Sequence, residues 1–292
     1  MSILDNVVSS STAGASEGLS QRSFDELRAL IYDHTGIYFR DNKRYLLESQ
    51  VGRRLKALQL GSYEEYVQLI QNGKRRTELP ELVNAVTINE TFFFRHPKQY
   101  EAIADTLIPK LITEGNRRHV RIWSAACSTG AEPYTLALLI HDQLKARFSD
   151  ARFSIVGSDI NTEVLATARA GRYGDYAVRN IPDAYLSKYF QHEGDHYTIA
   201  PDVTRMVSYK HLNLTDHRAI ERLRRFDIIL CANVLIYFDA ETKQAVITNL
   251  YDRLQQGGYL FVGTSETLHG VTRALKPVRF SNTIAYQKEE SS

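Results

Sequence analysis

Cysteine is scarce in this sequence. Two in 292 residues exclude a disulfide framework and a four-thiolate metal site. Neither sign of charge dominates, since 36 Lys+Arg stand against 34 Asp+Glu and leave +2. A chain so close to neutral lacks the broad basic field that nucleic acid binding requires. Long apolar runs are missing as well. Stretches such as Ile228–Cys231 and Tyr259–Val262 fall far short of the roughly 20 residues of a membrane-spanning helix. The opening MSILDNVVSSSTAGASEG has neither a basic n-region nor an apolar h-region, so it does not read as a secretory signal. Internal repeats are absent, and the only low-complexity tract is this Ser/Ala/Gly-rich opening. These absences exclude membrane, collagenous, disulfide-rich and wholly disordered classes. A cytoplasmic globular protein is expected, built as one large domain or two smaller ones.

What is present divides the chain. Hydrophobic residues at 43% and charged residues at 24% are ordinary for a folded protein. Residues 1–19 read as a disordered leader. Residues 20–88 read as an all-helical N-terminal domain. Ser23 followed by Glu26 has capping-box spacing, with Phe24, Leu27, Leu30 and Ile31 at helical intervals behind it. Leu47, Val51, Leu55 and Leu58 form the stripe of a second helix, for which Gly61 suits the stop. Tyr63–Ile70 and Glu78–Val86 give two shorter helical patterns. Residues 89–118 read as a linker and first helix of the next domain, and residues 119–292 alternate strands with helices. The strands are VRIWSA, FSIVGSD, MVSYKHLN, FDIILCAN, GYLFVGT and TIAYQ. Apolar strands alternating with amphipathic helices predict an α/β fold, a mostly parallel sheet covered on both faces. An insertion near 185–205 reads as a small antiparallel hairpin turning at Gly194-Asp195.

In open α/β sheets, ligands sit beyond the carboxyl ends of the strands. The first such loop, Cys127-Ser128-Thr129-Gly130-Ala131-Glu132, is built of small residues and opens a helix, but its single glycine makes a poor pyrophosphate cradle. The second strand ends at Asp159, where dinucleotide-type folds place the acid that accepts ribose hydroxyls, although an acid there also suits a helix N-cap. A ribose acid without a phosphate loop suggests a nucleoside ligand such as S-adenosylmethionine. Asn89-Glu90-Thr91-Phe92-Phe93-Phe94-Arg95 joins the two regions, at a junction of the kind where ligand sites form. His192-Glu193-Gly194-Asp195-His196 spells a zinc-protease motif, but Gly194-Asp195 reads as a turn, so no metal site is expected. Cys127 and Cys231 read as small apolar fillers.

Taken together, NETFFFR, SAACSTGAEPYTLA, GSDIN and CANVLIYF resemble the chemotaxis receptor methyltransferases, the CheR family, from about Ser20 to Tyr286. The resemblance implies an S-adenosylmethionine-dependent, Rossmann-like methyltransferase domain with a small inserted β-subdomain, preceded by a helical receptor-recognition domain. It implies methyl transfer to glutamate side chains of chemoreceptor cytoplasmic domains, with S-adenosylhomocysteine as product. It further implies a cofactor site lined by Asn89, Thr91, Arg95, Glu132, Asp159, Asn213, Leu214, Ala232 and Asn233, with Arg95 and Tyr237 handling the substrate carboxylate and Phe92–Phe94 covering the adenosine. Two departures stand out. The family often has Arg-Asn where this chain has Ala232-Asn233, and the turn at His192–His196 is shorter than the loop some members dock on a receptor's C-terminal tether. Recognition independent of that tether is therefore expected. The basic set Lys43, Arg44, Arg53, Arg54 and Lys56 on and beside the second helix is the expected surface for an acidic receptor segment.

Overall fold

The computed structural model describes residues 18–289. Most of the expected leader, residues 1–17, lies outside the described residues. Its last residue, Leu19, is fully buried, and its backbone N–H donates to Glu48 Oε1 at 3.3 Å. Four helices follow: α1 (Gln21–Thr35), α2 (Arg44–Leu58), α3 (Tyr63–Leu69) and α4 (Arg75–Val86). The cap of α1 is Ser20, not the expected Ser23, because the buried Leu19 fixes the chain entry one turn earlier. Ser20 Oγ accepts from Ser23 N at 3.2 Å, and Ser23 itself is buried, donating its hydroxyl to Glu64. Gln59 closes α2 in the left-handed conformation, φ 56°, two residues before the expected Gly61. The Leu47/Val51/Leu55 stripe is buried against Phe24, Leu27, Ile31, Tyr66 and Ile70, which makes the helical domain's own core.

Ten strands follow. The main sheet has seven strands in the order β6-β2-β1-β7-β8-β10-β9. Its members are β1 (His119–Ala125), β2 (Arg152–Asp159), β6 (Val207–His211), β7 (Phe226–Cys231), β8 (Leu254–Val262), β9 (Leu275–Phe280) and β10 (Thr283–Lys288). Neighbours from β6 to β8 pair in parallel, and β10 and β9 close the sheet antiparallel. Side chains alternate between two cores. Ile122, Ile228 and Leu230 pack with the helical segments 97–113 and 131–144, while Trp123, Ile229 and Cys231 pack with the helices His217–Glu221 and Ala240–Arg253. Both faces are thus covered, as the apolar strand runs predict. The edge strand β9 escapes a sequence reading because LKPVRF carries a proline and two cations, a composition that suits an edge.

A second sheet has three strands, β3 (Arg172–Tyr173), β4 (Phe190–Glu193) and β5 (His196–Ile199), in the order β3-β5-β4. The hairpin turns at Gly194-Asp195 as expected. The insertion is longer than the expected window, since β3 and the helix Asp183–Tyr189 belong to it. His192 and Tyr197 stack at 4.3 Å on facing strands, so the two histidines of the zinc-like motif are strand residues, not neighbours on a helix.

The helical domain sits over the carboxyl ends of β1, β2 and β7. Ile37 and Phe238 form an antiparallel bridge, and Tyr38 N donates to Tyr237 O at 2.9 Å. Gly36, just before this bridge, has φ 74°, and a Cβ there would lie 2.6 Å from the Thr242 methyl, so the close approach needs glycine. Within the helical domain, Glu78 binds Arg54 through both carboxylate oxygens, at 2.9 and 3.0 Å, and accepts from the Tyr66 hydroxyl at 2.8 Å. Glu78→Ala leaves a half-buried guanidinium and a buried phenol without their acceptor, and should cost about 3 kcal/mol in urea denaturation. A loss below about 1 kcal/mol would show that this pair is only a surface contact.

Candidate active site

A cavity of about 780 Å³ opens between the helical domain and the carboxyl ends of β1, β2 and β7. All nine expected cofactor residues line it: Asn89, Thr91, Arg95, Glu132, Asp159, Asn213, Leu214, Ala232 and Asn233. So do Tyr237 and Lys43. The sequence carries these positions on separate segments, and the parallel sheet collects them because every contributing strand ends on the same side.

The loop after β1 bends tightly, with Ala126 at φ 61°, Ser128 at φ 50° and Gly130 at φ 85°. Asp159 holds that loop from the neighbouring strand end: its Oδ2 accepts from Ser128 N at 2.8 Å and its Oδ1 from Asn161 N at 2.9 Å. Burial pushes the Asp159 carboxyl up, while these N–H donors pull it back. The N-cap reading of Asp159 falls away. Asn161 caps the helix Thr162–Ala170, accepting from Glu163 N and Val164 N, which leaves the acid facing the cavity. Glu132, in the first turn of the helix Ala131–Leu139, accepts from Ser124 Oγ at 2.7 Å, and burial pushes its carboxyl up to about 7.

The loop after β7 is strained in the same way. Asn233 stands at φ 62°, a conformation non-glycine residues adopt at a cost. Two contacts hold it: its N–H donates to Glu266 Oε2 at 2.8 Å and its Oδ1 lies 2.7 Å from His96 Nε2, while Glu266 Oε2 is itself fixed by accepting from Gly263 N at 2.7 Å. An amide oxygen only accepts, so this arrangement places the proton on His96 Nε2. Burial pulls the His96 imidazole below its usual range, keeping it neutral. The sequence reading misses both His96, which lines the cavity, and Glu266, which holds Asn233 from outside the lining. The strand-end rule points to Glu266, which follows β8 by four positions in the loop Gly263-Thr264-Ser265-Glu266.

Arg95 donates from Nη1 to Glu90 O at 2.7 Å, and its guanidinium carbon lies 5.6 Å from the centroid of the Phe92 ring. No carboxylate among the described residues lies within ion-pair distance of it, so its remaining donors face the cavity unclaimed by an acid. The Tyr237 hydroxyl has no hydrogen-bond partner among the described residues, and burial raises its pKa, so it is a donor at neutral pH. Asn213 lines the cavity with its side chain already committed, donating to His34 O at 2.7 Å and accepting from Thr215 N at 3.0 Å.

Two expectations need correction. Phe92–Phe94 do not line the cavity: Phe93 is buried against Tyr173 and Phe190, Phe94 packs on Tyr100 and Tyr185, and Phe92 meets Tyr176. They anchor the 89–95 segment to the insertion instead of covering a ligand. Arg54 is not a free surface cation, being sealed against Glu78 and Glu81. Lys43 apart, the rest of the basic set is a surface feature outside the cavity lining, with Arg53 and Lys56 exposed on α2 and Arg53 donating to Ala85 O at 3.1 Å. The two cysteines are buried thiols whose pKa burial raises, which agrees with the filler reading.

Glu266→Ala removes the acceptor of two backbone N–H groups and frees a strained residue. It should lower unfolding free energy by about 2 kcal/mol in denaturant titration. Asn233→Gly, which accepts the left-handed conformation without a Cβ, should cost less than Asn233→Ala in the same assay.

Comparison with known proteins gives one answer for both halves of the chain. The family described as CheR methyltransferase, SAM binding domain, matches residues 89–284, and the CheR methyltransferase all-alpha domain matches residues 22–87. A chemotaxis protein methyltransferase 1 of Pseudomonas aeruginosa is 35% identical over 269 residues, covering 90% of this chain and 97% of that one. A chemotaxis protein methyltransferase 2 of Vibrio cholerae is 30% identical over 271 residues, covering 92% of this chain and 94% of that one. With helical domain, S-adenosylmethionine-binding domain and their order all matched, the chain belongs to the CheR family of S-adenosylmethionine-dependent chemotaxis methyltransferases.

Proposed function

We propose that the protein esterifies glutamate side chains in the cytoplasmic domains of chemoreceptors, forming glutamyl methyl esters that set sensory adaptation and releasing S-adenosylhomocysteine. The observation that carries this reading is that Arg95 and Tyr237 line the same cavity. Both offer hydrogen-bond donors that no carboxylate of the described protein claims.

The residues fit the cofactor chemically. Asp159 is a buried acceptor for a ribose diol, Glu132 offers negative charge to a cationic amino-acid portion, and Asn89, Thr91 and Arg95 supply polar groups for its carboxylate. Leu214 gives an apolar face to a base beside Asn213, and Ala232-Asn233 completes the wall. When bound, S-adenosylmethionine supplies an electrophilic methyl on a sulfonium, whose departure needs no proton.

The protein's own task is then positioning. A glutamate side chain ordinarily titrates at about 4.3, so a substrate glutamate is already ionised at neutral pH and needs no general base. Arg95, fixed by Glu90 O and the Phe92 ring, orients one carboxylate oxygen through its planar fork and leaves the other free to attack. Tyr237 donates its hydroxyl to the same group. The neutral His96 is occupied in holding Asn233, so it takes no proton from substrate. The two-residue turn at Gly194-Asp195 supports recognition without a receptor tether. Lys43, Arg44, Arg53 and Lys56 supply the positive side for an acidic receptor segment brought in at receptor arrays. No helix among the described residues is long and apolar enough to cross a membrane.

Labelled methyl transfer from S-adenosylmethionine to receptor cytoplasmic fragments tests the reaction. Base-labile label on glutamates should appear with the wild type and fall about a hundredfold with Arg95→Ala, on the scale of losing a charge-orienting donor. Label on another residue type would replace the substrate assignment. Glu132 gives a pH signature. Its carboxyl is protonated in the free protein below about 7, so its contribution to holding a cationic cofactor grows as pH rises through that value. The affinity gap between wild type and Glu132→Gln in calorimetry should therefore widen with pH. Parallel profiles would remove Glu132 from the cofactor site.

A further inference from the structure

We infer that Tyr176 and Arg179, at the short helix Asp175–Val178 of the insertion, are positioning residues that hold Arg95 at the cavity through Glu90 and Phe92. This rests on Arg95 handling the carboxylates of cofactor and substrate in the proposed reaction, and it gives the insertion a part in the chemistry.

Arg95 is held by the chain just before it, at Glu90 O and at the Phe92 ring. Residues 87–96 form no helix or strand, so no backbone ladder fixes those two anchors. The insertion fixes them instead. The Tyr176 hydroxyl donates to the Glu90 carboxylate. The Arg179 guanidinium carbon lies 3.5 Å from the centroid of the Phe92 ring and 3.6 Å from that of Tyr176. One planar cation thus spans two rings, which themselves meet edge to face at 6.3 Å. Arg179 is kept there by donating from Nη1 to Tyr176 O, and among the described residues no carboxylate lies within ion-pair distance to draw it off. Phe93 N donates to Ala177 O at 3.0 Å and ties the same two segments by backbone.

Burial does not account for this arrangement. Tyr176 is 55% exposed and Arg179 is exposed too, so neither contributes to a core. A cation over an aromatic ring at an exposed site is worth about two- to fivefold in an equilibrium constant. Two rings and a hydrogen bond to Glu90 are therefore enough to choose one arrangement of a loop. Glu90 and Arg95 line the cavity, whereas Phe92, Tyr176 and Arg179 lie outside its lining. The influence of Tyr176 and Arg179 on a bound molecule thus passes through the 90–95 segment. A guanidinium orients a carboxylate only from a fixed place, and small misplacements of an orienting group cost rate steeply.

The test is a double-mutant cycle in the full chain that combines Arg179→Ala with Arg95→Ala. Alone, Arg179→Ala should lower kcat/KM for methyl transfer to a receptor cytoplasmic fragment about tenfold, and weaken S-adenosylhomocysteine binding in calorimetry about threefold. Added to Arg95→Ala it should change neither by more than about 1.5-fold, because the group it positions is gone. Tyr176→Phe keeps the ring under Arg179 but releases Glu90, so its activity should fall between wild type and Tyr176→Ala. Arg172→Ala, which removes an exposed arginine on β3 of the same insertion, is the control and should leave transfer and binding unchanged. Arg179→Ala losses that add in full to those of Arg95→Ala in both assays would mark a general disturbance of the insertion and overturn the positioning role. Wild-type behaviour of Arg179→Ala in both assays would overturn it as well. The binding cycle does not depend on the methyl acceptor. Coupling in binding, with no label on receptor glutamates from wild type, would keep the positioning role and remove the proposed reaction.

Discussion

Between α4 and the helix that follows β2, buried amides and hydroxyls satisfy one another across the two domains. Asn84 Nδ2 donates to Thr162 Oγ1 at 2.9 Å, its Oδ1 accepts from Thr162 N at 2.9 Å, and Asn161 Nδ2 donates to Thr87 Oγ1 at 2.7 Å and to Asn84 O at 3.1 Å. Asn161 and Asn84 are buried, so each bond left unmade would carry the full penalty of an unsatisfied polar group. The same Asn161 hands its backbone N–H to Asp159, which in turn grips the loop after β1. One chain of hydrogen bonds thus fixes the helical domain, the strand end and the small-residue loop together. The cavity is the space these three leave.

That geometry sets the electrostatics of the cavity. Deep in the cavity, burial raises the Glu132 and Asp159 pKa values while protein donors hold the carboxylates in place and oppose that rise. Cations and carboxylates line the cavity together, and among the described residues none of them is joined in an ion pair. Left-handed residues, Ala126, Ser128 and Asn233, occur in the loops of this lining, where backbone has to turn sharply at a strand end. At Ser128 and Asn233 the cost is offset by backbone N–H groups donating to Asp159 and Glu266.

Particular residues show how far local pattern carries. The stripe of α2 and the apolar runs of β1 and β7 are legible because burial on one face or two leaves a direct periodic trace. Phe92–Phe94 mislead because three adjacent aromatics have no period, and which surface they meet depends on the insertion packed beside them. Arg54 looks like its neighbours in the sequence, yet it is the one that faces Glu78 on α4. Strand β9 hides behind edge composition, and the cap of α1 lies a turn earlier than its spacing suggests because Leu19 is buried.

By itself, the sequence determined the class of fold, the division into a helical and an α/β region, and the motifs that identify the family. All of these are written in contiguous segments whose periodicity or residue order survives without a structure. The tertiary structure alone decided that Asp159 faces the cavity because Asn161 takes the capping role, that Glu266 and His96 hold Asn233, and that Arg179 of the insertion lies over Phe92. The reason is physical: these relations join residues far apart in the chain, and their energies exist only once parallel strands and the domain contact bring the groups within hydrogen-bonding and packing distance.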